Sequence, residues 1–201
     1  MRRIFYSFLI IFILSACSQE ENIDTTEDEN PLTKNPEIPR TIFTSEKNNS
    51  LIDKEEMKLS IKVYLDSDEE LDNASYPFEE TIDEGQELNK SELEKFNRIN
   101  NLVKENDENF SNYILNNTLP EGYQEESERI SRYITASNEY LHELNEILDY
   151  KVDNISEGGF SEIDIESIID KSGVVNGKEQ KKIEEFLDKE NIKTEAFGRE
   201  H

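Results

Sequence analysis

Ile130-Ser131-Arg132-Tyr133-Ile134-Thr135-Ala136-Ser137-Asn138-Glu139-Tyr140-Leu141-His142-Glu143-Leu144-Asn145-Glu146-Ile147-Leu148 carries the most regular pattern in the chain. Ile130, Tyr133, Ile134, Ser137, Tyr140, Leu141, Leu144, Ile147 and Leu148 recur at helical spacing on one broad face, while Glu128, Arg132, Glu139, Glu143 and Glu146 fall opposite. Such a pattern predicts one long amphipathic helix from about Pro120 to Lys151, with the proline near its start, where a missing N–H costs nothing. A helix with one apolar face must bury that face against another element.

The sequence on the N-terminal side supplies the partners. Leu51, Met57, Ile61, Tyr64, Leu65 and Leu71 predict a helix capped by Ser50 and ending near Asn73. Tyr76-Pro77-Phe78 and Gly85 then read as a connection. Ser91 to Glu94 has the form of a capping box. It opens a helix whose stripe is Phe96, Ile99, Val103, Phe110, Tyr113 and Ile114, closed by Asn116-Asn117.

On the C-terminal side, Gly158-Gly159 breaks the pattern and a smaller unit follows. Ser161 to Asp170 carries Ile163, Ile165, Ile168 and Ile169, a helix or else a short strand. After the turn at Ser172-Gly173, Asn176 caps a last helix with Ile183, Phe186 and Leu187 inward. The expected fold is therefore all-α: an antiparallel bundle of three long helices over residues 50–157, and a small C-terminal helical hairpin over 158–201.

The first residues are an address. Arg2 and Arg3 precede an apolar run from Ile4 to Leu14, the layout of a secretory signal and too short for a comfortable membrane span. The run ends in Leu14-Ser15-Ala16-Cys17, which resembles a bacterial lipobox and includes the only cysteine of the 201 residues. That resemblance implies cleavage between Ala16 and Cys17, with a diacylglyceryl group on the Cys17 thiol. Two acyl chains at one residue suffice for stable anchoring, and lipidation leaves no thiol for a disulfide. Residues 1–16 are thus expected to be a signal peptide. Residues 17–49, Glu-, Asp- and Asn-rich with Pro31, Pro36 and Pro39, are expected to be a disordered tether spanning roughly 30 Å. Ile42-Phe43 is its one apolar patch, a candidate for docking on the domain.

Composition narrows the function. The full chain has 22 basic and 47 acidic residues; loss of Arg2 and Arg3 with the signal leaves a net charge of −27. That balance excludes nonspecific nucleic-acid binding, which needs a basic surface. It also disfavours docking to anionic headgroups through protein charge.

No stretch of the sequence completes a known chemical motif. His142-Glu143 begins like a zinc-protease helix, but Glu146 stands where the second His belongs and the only other His is His201. Ser161 lacks the glycine of a nucleophile elbow, and Gly173 to Lys178 lacks phosphate-loop spacing, with Glu179 in place of the hydroxyl. Asp66-Ser67-Asp68-Glu69-Glu70 starts like a calcium loop without its glycine, and reads as a solvated acidic face. No catalytic, cofactor or metal residue is nominated.

One local motif remains, Asn106-Asp107-Glu108-Asn109-Phe110. Phe96, Val103 and Phe110 are seven apart, so Phe110 is a core residue and Asn106 occupies an apolar position of the same stripe. Either Asn106 ends one helical run and Asp107 caps the next, or Asn106 makes a buried hydrogen bond that sets register. With the lipobox, Ile42-Phe43, Tyr64-Leu65-Asp66-Ser67 and Ile130 to Asn138, this motif resembles the NDxxF motif lipoprotein family of low-GC Gram-positive bacteria. The resemblance implies a surface lipoprotein with no assigned activity and no catalytic residues. The expected function is a non-enzymatic helical module, held on the extracytoplasmic face of the cell membrane through Cys17, that binds an envelope protein or a cationic ligand. The alternative is an envelope hydrolase using a carboxylate pair. An importer's substrate receptor is a third class, and would need two α/β lobes.

Overall fold

The computed structural model describes residues 36–154 and 173–199, with the backbone alone at 140–154. The signal, Cys17 and the tether up to residue 35 lie outside the described residues, as do Gly158-Gly159 and the segment Ser161 to Asp170. The fold is all-α, and helices account for most of the described chain: α1 (Lys54–Asp83), α2 (Lys90–Leu115), α3 (Tyr123–Asn154) and α4 (Gly177–Glu190). A 3₁₀ turn, Ala196–Gly198, follows α4 and returns to α1. α2 packs between α1 and α3, and α4 packs on α3. Ser60 meets Tyr113, Tyr64 meets Asp107 and Phe78 meets Phe96, so α1 and α2 run antiparallel.

The stripes read from the sequence are the core. Met57, Ile61, Tyr64 and Leu65 of α1 join Phe110, Tyr113 and Ile114 of α2, Ile130, Tyr133 and Ile134 of α3, and Ile183, Phe186 and Leu187 of α4 in one cluster. A second cluster, Leu71, Ala74, Phe78 and Ile99, fills the other end of the α1–α2 pair. Asn176 caps α4 as expected, its Oδ1 accepting from Lys178 N and Glu179 N at 3.0 Å each. Among the described residues no helix is long and apolar enough to cross a membrane.

Several expected boundaries move, each for a physical reason. α1 does not stop near Asn73 but continues to Asp83 with Pro77 inside it. An interior proline costs about 3 kcal/mol, yet ending the helix there would pull Ala74 and Phe78 out of the second cluster, where they are 6% and 2% exposed. The cap of α1 is Asp53, whose Oδ1 accepts from Glu56 N at 2.9 Å, not Ser50. Leu51, expected in the stripe, is 80% exposed and Ile52 is buried. Here the backbone is extended and bridged to Thr118, so alternate side chains point out and in. The capping box of α2 sits two residues earlier than expected, with Asn89 Oδ1 accepting from Glu92 N at 3.1 Å and Glu92 Oε2 accepting from Asn89 N at 2.8 Å. Pro120 opens a turn closed by Tyr123 N on its carbonyl at 3.0 Å, and α3 starts only after Gly122, at φ 81°.

The largest correction is to the tether, whose expected end at residue 49 is too late. Phe43 is 3% exposed within the main cluster, and Ile38 and Ile42 pack against the second. Residues 38–47 run back along the α1–α2 groove as an extended strap. It reaches Glu56 near the start of α1 through a 2.6 Å ion pair from Lys47.

The core contains one unmet polar group among the described residues: Ser127 is fully buried on α3 and its Oγ has no hydrogen-bond partner. Ser127→Ala should therefore raise the urea midpoint, by a stability gain of about 1 kcal/mol; a loss would mean that the hydroxyl has a partner in solution.

Candidate functional site

The motif nominated by the sequence lies in the C-terminal half of α2, facing inward. Asn106 and Phe110 are fully buried, and Asp107 is 8% exposed. Because 106 and 110 are one turn apart, a polar head and an aromatic ring enter the core side by side.

Asn106 works in two directions. Its Oδ1 accepts from the backbone N–H of Phe43 at 2.9 Å, and its Nδ2 donates to the Tyr64 carbonyl at 3.2 Å. One turn on, Asn109 Nδ2 donates to the Phe43 carbonyl at 3.0 Å. Both backbone polar groups of Phe43 are thus met by asparagine side chains of one helix, which lets an extended residue be buried without a strand beside it. The ring completes the fit, lying edge-on to Phe110 and Tyr113 with centroids 5.3 Å away in each case. Phe110 in turn stacks on Tyr64 at 4.1 Å, with planes 3° apart.

Asp107 continues the network towards α3. Its Oδ1 accepts from the Tyr64 hydroxyl at 2.7 Å and its Oδ2 from Asn138 Nδ2 at 3.4 Å. The same Asn138 nitrogen donates to Asp68 Oδ1 at 3.1 Å. α1, α2, α3 and the strap are therefore joined at one polar and aromatic hub. α2 runs unbroken from Lys90 to Leu115, so the expectation that Asp107 caps a second helical run is wrong; the buried-hydrogen-bond role for Asn106 is the one found.

Asp68 is half-buried, and its carboxyl shares the Asn138 amide donor with that of Asp107. Burial is the main cause that pushes its pKa up to about 8; the carboxylates of Asp107, Asp72 and Glu69 add to the effect, and the bond from Asn138 opposes it. Burial also raises Asp107, against the opposing bonds from Tyr64 and Asn138. Tyr64 is raised well above its usual value by burial and by Asp107. Both shifts favour a protonated carboxyl in the pair, the larger one at Asp68.

A second knot ties the ends of the bundle. Glu190 accepts from the Tyr123 hydroxyl and pairs with Lys54 Nζ, both at 2.7 Å, and Lys54 lies 5.8 Å from the centre of the Tyr123 ring. Lys54 first, then Tyr123, hold the Glu190 carboxyl below its usual pKa. Asp66 accepts from Thr194 Oγ1 at 2.6 Å and from Glu195 N at 3.2 Å, fastening the C-terminal segment to α1. An open groove of about 380 Å³ lies between α3 and α4, lined by Tyr123, Glu126, Arg129, Lys182, Phe186 and Lys189 among others. Arg129 in it is paired with Glu125, Glu126 and Glu179. Among the described residues no group of three His, Cys, Asp or Glu side chains is arranged to hold a metal ion.

Of the residues nominated by the sequence, Asn106, Asp107 and Phe110 are brought together, while Ala16 and Cys17 lie outside the described residues. Phe43, marked in the sequence as a candidate for docking on the domain, is seated at the centre of the site; Asn109, Tyr64, Asn138 and Asp68 complete it and are not named as site residues by the sequence reading. Two signals pointed to them: an apolar pair stranded in a polar segment, and an asparagine on an apolar stripe.

Two outcomes follow from this geometry. Phe110→Ala should cost roughly 3–5 kcal/mol as a buried aromatic truncation, read from urea melts; a variant equal to wild type would mean that the hub is not packed. The raised pKa values of Asp68 and Asp107 set the sign of the pH dependence: their stabilisation is full below about pH 4, the ordinary carboxylate value, and falls as pH rises, the Asp68 share being lost through about 8. Wild type should lose melting temperature across that window, and Asp68→Asn should flatten much of the slope.

No protein-family model, curated protein or solved structure matches this chain.

Proposed function

We propose that this chain is a lipid-anchored extracytoplasmic module that works by binding, with no catalytic step of its own. The observation that carries this reading is the use made of Phe43. The N-terminal part of the described chain is stitched into the core at Phe43, which supports a role in which a load on that side is passed to the bundle. The motif residues Asn106, Asp107 and Phe110 are turned inward and engaged in packing, which supports a scaffold role. The lipobox-like start and the resemblance to the NDxxF motif lipoproteins support an address on the extracytoplasmic face of the cell membrane. A mature charge of −27 favours a cationic ligand, or an envelope protein with a neutral or basic contact face, over any polyanion.

The alternative, an envelope hydrolase, draws on one observation: Asp68 and Asp107 share the Asn138 donor. Asp107 also accepts from the buried Tyr64 hydroxyl, and a carboxylate so engaged serves packing before chemistry.

The anchor is tested at its one acceptor. Cys17→Ala should abolish incorporation of a labelled fatty acid and release the protein from membranes or leave it unprocessed. Label retained by the variant would overturn the lipid-anchor reading.

A further inference from the structure

The strap is held in the way an extended peptide is held by a receptor. Asn106 and Asn109 take both backbone groups of one residue, which nearly any sequence offers, and the rings of Phe110 and Tyr113, with Tyr64 stacked behind Phe110, favour an aromatic side chain there. Aliphatic side chains at Ile38 and Ile42 dock on the second cluster. This division, backbone bonds for affinity and pockets for selection, is how extended peptides are recognised in general.

Charge narrows the class further. Residues 36–47 hold two acidic and two basic side chains (Glu37, Glu46, Arg40, Lys47), a neutral stretch in a chain that is otherwise strongly acidic. Lys47 makes its ion pair to Glu56 where the strap ends. The residues between Phe43 and the start of the bundle, 44–49, are exposed, so the strap joins the bundle through a segment that is not itself part of the core.

We propose that the α1–α2 groove is a binding site for an extended segment of an outside protein, neutral or basic in charge and bearing an aromatic residue directly after an aliphatic one. The chain's own residues 38–43 occupy it in the resting molecule. This deepens the binding-module reading and rests on it, but does not depend on the lipid anchor. The resident strap competes as if present at an effective concentration on the order of millimolar, so the outside segment gains access in proportion to the time the strap is open.

The test keeps the full chain. A protease site placed across Ser45-Glu46 is cut after folding, and a dye-labelled peptide with the sequence of residues 36–47 is titrated into cut and uncut protein. The cut protein should bind it saturably, and the uncut protein at least tenfold more weakly. A peptide with Phe43→Ala should lose at least tenfold, and one with Glu37→Lys and Glu46→Lys should bind more tightly at low salt. No binding by cut protein that keeps its helical circular dichroism would overturn the proposal, as would equal binding of the Phe43→Ala peptide. A cut chain that takes up the strap of an uncut one, seen as a heterodimer by light scattering, would replace the outside partner with a second copy. Should cutting unfold the bundle, hydrogen exchange on the uncut chain decides. The Phe43 amide should exchange faster than that of Ile99, and faster still with excess peptide; exchange at the rate of Ile99, unchanged by peptide, would overturn it.

Discussion

A residue laid in extended form against a helix brings an amide and a carbonyl that the helix backbone cannot satisfy, since its own groups are used within the ladder. Burying them unmet would cost about 1–3 kcal/mol each. Asn106 and Asn109 remove that cost for Phe43, and the rest of the hub follows. Once Phe43 is seated, its ring fixes Phe110, Phe110 fixes the plane of Tyr64, and the Tyr64 hydroxyl finds Asp107. Asn106 also bonds the Tyr64 carbonyl, so one side chain holds strap, α1 and α2 in a single register. Sliding α1 by one residue would break these bonds together, a penalty that apolar packing alone does not impose.

The hub is also where the electrostatics of the chain turn inward. A surface with so many carboxylates repels itself, and placing Asp107 in the interior beside the half-buried Asp68 adds to the strain. The arrangement is tolerated because Asn138 and Tyr64 donate to the pair and because burial favours keeping a proton on it. At the other end the bundle uses opposite charges, with Lys54 and Glu190 closing the gap between α1 and α4 over the Tyr123 ring.

The periodic part of this architecture is legible in the sequence. Helical spacing of Met57, Ile61, Phe110, Ile130 and Ile183 places the core faces of four helices, and Asn176 and Asn116 mark ends where they occur. Misreadings arise where tertiary contact overrides a local signal. Pro77 and its aromatic neighbours look like a break, yet burial of Phe78 keeps the helix going. Ser91 has the form of a cap, yet Asn89 is a cap at least as good and has its Glu in place three residues on. The site is half legible: an asparagine on an apolar stripe announces a buried bond, but its partner is the backbone of a residue 63 positions away, which no spacing rule reaches.

The direction of the strap has a mechanical meaning. Its earliest described contacts are at the Phe78 end of the groove, and it runs from there towards Glu56 before the chain reverses into α1. A force that draws residue 36 out along the groove, past Phe78, loads Ile38, Ile42 and the Phe43 bonds in parallel, as shear. The same force applied sideways meets them one after another and peels the segment like tape. The bundle is thus strong against stretch along its long axis and weak against a lateral tug, so the angle at which its N-terminal end is pulled sets the load at which the groove opens.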